Sequence, residues 1–133
     1  MTEWQQGQEL PTQTYLIRRA DLAAYAAASG DDNPIHLDED FARSVGLPGI
    51  IAHGMYTMAL AGRALTSWTG RPDAVVEYGV RFTRPVVVPA DTPAEVVVAG
   101  SVRSVSDGLA SVDMTVTAGG EKVLAMARAT VRI

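Results

Sequence analysis

His53-Gly54-Met55-Tyr56-Thr57-Met58-Ala59-Leu60-Ala61-Gly62-Arg63-Ala64-Leu65-Thr66-Ser67-Trp68 is the stretch whose reading decides the fold. Met55, Met58, Ala59, Leu60, Ala61, Ala64 and Leu65 cover nearly the whole circumference of a helix. That pattern predicts a helix over about 53–68 that is buried on most sides. Gly70-Arg71-Pro72 ends it. The wider apolar run, 45–62, is broken by Pro48, His53 and glycines, so it reads as a helix inside protein rather than a membrane span.

Downstream, the chain becomes rich in β-formers over 75–82, 94–105, 110–117 and 122–133. Ser106-Asp107-Gly108 and Ala118-Gly119-Gly120 join the last three runs as tight hairpins. Val112, Met114 and Val116 alternate with Ser111, Asp113, Thr115 and Thr117, as a strand with one buried face requires. Upstream, 14–17 reads as a strand and 21–29 as a helix stopped by Gly30. Residues 31–36 form a polar turn around Asn33-Pro34, and 39–45 a short helix closed by Gly46. A long apolar helix needs a wrapping, and an antiparallel sheet of about five strands is there to supply it. The expectation is an α+β domain over 1–133, with the long helix against one face of a curved antiparallel sheet.

Bulk properties narrow the function. The 133 residues carry 11 basic and 15 acidic side chains, a net charge of −4, which argues against an electrostatic nucleic-acid binder. Lys122 is the sole lysine, so any anionic ligand would be met by arginine. Without cysteine there is no disulfide scaffold, thiolate metal site or cysteine nucleophile. The start, Met1-Thr2-Glu3-Trp4-Gln5-Gln6, lacks the basic region and apolar run of a secretory signal. A cytoplasmic protein, with no membrane association, is the expectation.

The two histidines, His36 and His53, both lie in glycine- and proline-bounded turns near the long helix. Asp31 and His36 are separated by a turn that Pro34 stiffens. That spacing can bring a carboxylate and an imidazole to one water and move protons both ways. From spacing alone the plainer reading is the commoner one: Asp31 caps the turn and His36 is an ordinary polar residue. Gly54 opens the helix, where unpaired amides and a positive dipole end could receive a developing oxyanion. A glycine there could instead serve close packing. A metal site would draw on both histidines with Asp31, Asp32 or Asp38, but no HExxH or equivalent spacing supports one. Neither a GxSxG elbow nor a phosphate-binding glycine loop is present.

Ser29-Gly30-Asp31-Asp32-Asn33-Pro34-Ile35-His36-Leu37-Asp38 resembles the hydratase signature of the MaoC-like, (R)-specific enoyl-CoA hydratase family. Ile51-Ala52-His53-Gly54-Met55 resembles that family's second motif, at the start of its central helix. The resemblance continues through Val80-Arg81-Phe82 and Pro85-Val86 and is close to the catalytic subunits of heterodimeric 3-hydroxyacyl-ACP dehydratases of actinobacteria. It implies a hot-dog fold. It also implies Asp31 and His36 as the catalytic pair, the Gly54 N–H as oxyanion donor, and Asn33 and His53 supporting them from behind. The substrate would be an acyl-CoA or acyl-carrier-protein thioester, with no cofactor and no metal. The chain would pair with itself or with a non-catalytic paralogue.

Hydration of a trans-2-enoyl thioester needs a base for water, an acid for Cα and a donor for the enolate oxygen; these residues can supply all three. A hot-dog thioesterase, or a subunit active only beside a paralogue, would use the same scaffold. Arg63, Arg71, Arg81 and Arg84 are candidates for holding the anionic tail of the substrate, Arg81 and Arg84 foremost.

Overall fold

In a computed structural model, which describes residues 3–133, the elements run β1 (Glu9–Ile17), α1 (Arg19–Ser29), a single 3₁₀ turn (Pro34–His36), α2 (Glu39–Ser44), α3 (Gly54–Thr69), β2 (Val75–Phe82), β3 (Ala94–Ser106), β4 (Leu109–Ala118) and β5 (Glu121–Arg132). The strands form one antiparallel sheet in the order β1-β3-β4-β5-β2. Helix α3 lies against it and touches β1, β2, β3 and β5. This is the hot-dog arrangement that the resemblance implied, and the α+β class read from the sequence.

Both hairpins are two-residue turns with positive φ at both positions, 54° and 76° at Asp107-Gly108 and 60° and 79° at Gly119-Gly120. That is the conformation whose twist matches the flanking strands. Val112, Met114 and Val116 of β4 are buried beneath α3 with Val96, Val98 and Val102 of β3, and Leu60, Ala61, Ala64 and Leu65 meet them from the helix. Close approach of α3 to β3 depends on Gly100. A Cβ there would lie 2.5 Å from the Trp68 ring, whose Nε1–H donates to the Pro11 carbonyl at 2.7 Å.

Two expectations are corrected. Strand β1 starts at Glu9, well before residue 14. Pro11 argues against a strand in sequence, but β1 is an edge, and its register shifts between Leu10 and Gln13 around the proline. Helix α3 is not buried all round: Met55, Ala59, Arg63 and Ser67, four residues apart, form an exposed stripe. One sheet covers one side of a helix, so apolar residues on the far side stay open in a single chain.

β5 carries one more residue than β2 and β4 where Met126 interrupts both pairings. Met126 has φ 51° and is 72% exposed. The bulge bends β5 and helps the sheet curve around α3.

Candidate active site

The site grows out of the end of α1. Gly30, at φ 81°, ends the helix and turns the chain outward. The Asp31 amide donates to Ser29 Oγ at 3.1 Å, and Asp31 Oδ1 accepts from the Asn33 amide at 3.3 Å. Asn33 Oδ1 in turn accepts from the Ile35 amide at 3.2 Å, capping the 3₁₀ turn that Pro34 opens. Short polar side chains bonding their own backbone two residues on are what fold this segment. The turn directs His36 inward, where it is buried, and leaves Asp31 exposed.

His36 Nδ1–H donates to the Ile51 carbonyl at 2.7 Å. A carbonyl can only accept, so in the neutral ring Nε2 carries the lone pair. His53, 1% exposed, stands at the N-cap of α3. Its Nε2–H donates to the Asp31 carbonyl at 2.9 Å, and its ring stacks on His36 with centroids 3.8 Å apart and planes 25° apart. Tyr25 packs in a T-shaped arrangement with His53 and with Tyr56, ring centroids 4.7 Å and 5.2 Å apart. Burial, with the Asp21 charge adding to it, raises the Tyr56 hydroxyl above its ordinary range, against a smaller pull from Arg63.

Asp31, His36 and His53 thus present a carboxylate oxygen and two ring nitrogens within 4.8 Å of one another. A shared ion would need each lone pair, in its own ring plane, to aim at one point about 2.0–2.1 Å away. Two nearly parallel stacked rings send their lone pairs side by side instead. The set suits proton transfer better than chelation.

A pocket of about 240 Å³ opens beside His36, walled by His36, Gly54, Thr57, Phe82, Arg84 and Leu124 among others, while Asp31 and His53 do not line it. The amides of Tyr56 and Thr57 return to the His53 carbonyl, each at 3.1 Å. The Gly54 amide stands ahead of them, at a position with no intrahelical acceptor. The packing reading of Gly54 has direct support, since a Cβ there would lie 3.1 Å from the Phe82 ring.

The arginines divide. Arg84 lines the pocket and stands 3.6 Å from Glu121. Arg81 does not; it lines a separate concavity of about 400 Å³ with Tyr78, Met126 and Arg128. Strand alternation is the reason: in β2 Phe82 faces the pocket, so its neighbour Arg81 faces away. Arg63 sits over the Tyr15 ring at 5.2 Å, and Arg71 pairs with Asp73 at 3.3 Å beyond the C-terminal end of α3. Thr57 and Phe82 are pocket residues that sequence reasoning did not assign. Thr57 was within reach of it, being three residues beyond Gly54 on one helix face.

With this geometry in place, the relatives are informative. The model of the MaoC-like domain family matches residues 2–121, and the chain belongs to that family of hydratases and dehydratases. It is 44% identical over 81 residues to 3-hydroxyacyl-thioester dehydratase X of Mycobacterium tuberculosis, a match covering 60% of this chain but 28% of that protein. Among solved structures it resembles a MaoC-like dehydratase, with TM-score 0.95 and 38% identity over 98% of this chain and 41% of that one. It also resembles the (R)-hydratase of A. caviae involved in PHA biosynthesis, with TM-score 0.86 and 25% identity over 100% and 99% of the two chains. The chain therefore spans less than half the length of the first two. No helix among the described residues is long and apolar enough to cross a membrane.

Proposed function

We propose that this chain adds water to a trans-2-enoyl thioester to give the (R)-3-hydroxyacyl thioester, or runs the reverse dehydration. The observation that carries this reading is that the buried His36, its Nδ1 committed to Ile51, lines the same pocket as Gly54 at the head of α3. The Asp31 carboxylate lies within 4.8 Å of the imidazole pair.

Asp31 and His36 act on one water. In hydration the pair takes the water's proton as its oxygen bonds to Cβ, and a proton is delivered to Cα from the same face. Negative charge gathers on the thioester oxygen between these steps. The Gly54 N–H, at the positive end of α3, stabilises it without reorganising. Asn33 keeps the turn in shape. Arg84, at the pocket wall, is placed to meet an anionic tail, while Arg81 drops out of the site.

The substrate is a CoA or carrier-protein thioester of the cytoplasm, and the working form is a dimer with a second copy or a non-catalytic paralogue. Incubation with crotonyl-CoA, followed by chiral analysis of the product, tests the reading. Formation of (R)-3-hydroxybutyryl-CoA is expected. Thiol release from a saturated acyl-CoA, without hydration, would replace it by the thioesterase reading.

A further inference from the structure

We infer that His53 is the positioning residue of this site, holding Asp31 through an edge and His36 through a face of one ring. The inference rests on the hydratase reading for its kinetic consequence, though not for its geometry. Asp31 lies on an exposed turn, and the bonds of its own amide and carboxylate reach only two residues along the chain. Further along the turn the Ile51 amide donates to the Ile35 carbonyl at 3.2 Å and His36 Nδ1–H to the Ile51 carbonyl at 2.7 Å, but neither bond sets where Asp31 itself sits relative to α3. The His53 ring does so: its Nε2–H grips the Asp31 carbonyl across 22 residues, and its face supports the His36 imidazole. Its own backbone is the N-cap of α3, directly before Gly54. Carboxylate, imidazole and helix amide are therefore referred to one buried ring, which Tyr25 braces from the side.

Space filling alone does not account for a histidine here. Among the described residues, His53 Nδ1 is buried with no hydrogen-bond partner. An apolar ring would avoid that penalty and would stack as well. The gain that offsets it is the donor on the opposite nitrogen.

The test uses three variants and the unaltered protein. His53→Gln places an amide N–H where Nε2–H stands and loses the flat face. His53→Phe keeps the face and loses the donor; His53→Leu loses both. Misplacement of catalytic groups by an ångström costs up to about 10²-fold. His53→Leu should lower kcat on crotonyl-CoA about 10–10²-fold with KM little changed, His53→Phe should fall nearly as far, and His53→Gln should recover part of the loss. kcat is taken per folded molecule, with the folded fraction read from thermal unfolding. Equal kcat per folded molecule for wild type and His53→Phe would reduce His53 to a packing residue.

Should the Phe and Leu variants not fold, nitrogen-15 NMR of the wild-type imidazoles still decides. The expected tautomers are Nε2–H for His53 and Nδ1–H for His36, and an Nδ1–H tautomer at His53 overturns the inference. An inactive wild-type chain with the expected tautomers would sink the hydratase reading while leaving the clamp in place.

Discussion

Asp31 and His36 show how far spacing carries at the level of single residues. Their separation across a proline turn was legible in the sequence, and so was the candidacy of Gly54 at a helix start. The stacking of His53 on His36 was not, because 16 residues of chain and a change of direction lie between them, and local pattern reports only neighbours. The side of β2 on which Arg81 falls was also hidden. It depends on where the strand's pleat begins, and a shift of one residue reverses it.

Two expectations belong at this scale. Asp31→Asn and His36→Ala should each lower kcat by about 10²–10⁴-fold with a smaller change in KM, and the double variant should be little worse than either. Steady-state kinetics on an enoyl thioester would show this; full additivity would mean two independent roles. Gly100→Ala should destabilise the fold by about 1–3 kcal/mol, because its Cβ would meet the Trp68 ring at 2.5 Å. A urea midpoint that does not move would show that Trp68 yields freely.

Between elements, the contacts that matter are few and specific. The Tyr78 hydroxyl of β2 donates to the Met58 carbonyl of α3 at 2.7 Å, and its ring lies beside Gly62. Burial pushes that hydroxyl well above its ordinary value of 10.0. A raised folded-state value gives a contribution fully present below pH 10 and lost as the pH climbs beyond it. Tyr78→Phe should therefore cost about 0.5–1.5 kcal/mol near neutrality and make the alkaline fall in Tm shallower. An unchanged alkaline limb would assign the loss to other groups.

Arg19 ties α1 to α2 through Glu39 at 2.9 Å and reaches the Val88 carbonyl at 3.0 Å. Elements of this kind were legible where punctuation is strong, as at Gly30, Gly70 and the two-residue turns. They were illegible where tertiary context tolerates a breaker, as at Pro11.

For the molecule as a whole, the sheet ends in two edges. β1 is interrupted by its proline, and β2, whose register against β5 shifts between Val75 and Glu77 and between Gly79 and Arg81, leaves Val76 and Phe82 about half exposed. An open edge with exposed apolar side chains invites pairing. Together with the open Met55–Ala59 stripe of α3, this supports a second copy or a paralogue covering that side. Light scattering should report a dimer at micromolar concentration; a stable, fully active monomer would remove the proposal.

The bond from His53 to Asp31 also makes the intervening chain a closed ring. Closure entropy grows only with the logarithm of ring size, so doubling the chain within it costs about 0.6 kcal/mol. The exposed stretch Ser44-Val45-Gly46, at the far side of that ring, touches neither the pair nor the pocket. Flexible residues inserted after Val45 should leave turnover close to wild type. On this view the loop's outer arc is free to lengthen, to carry a recognition segment or a tag, while one imidazole keeps its two ends, and the chemistry, where they are.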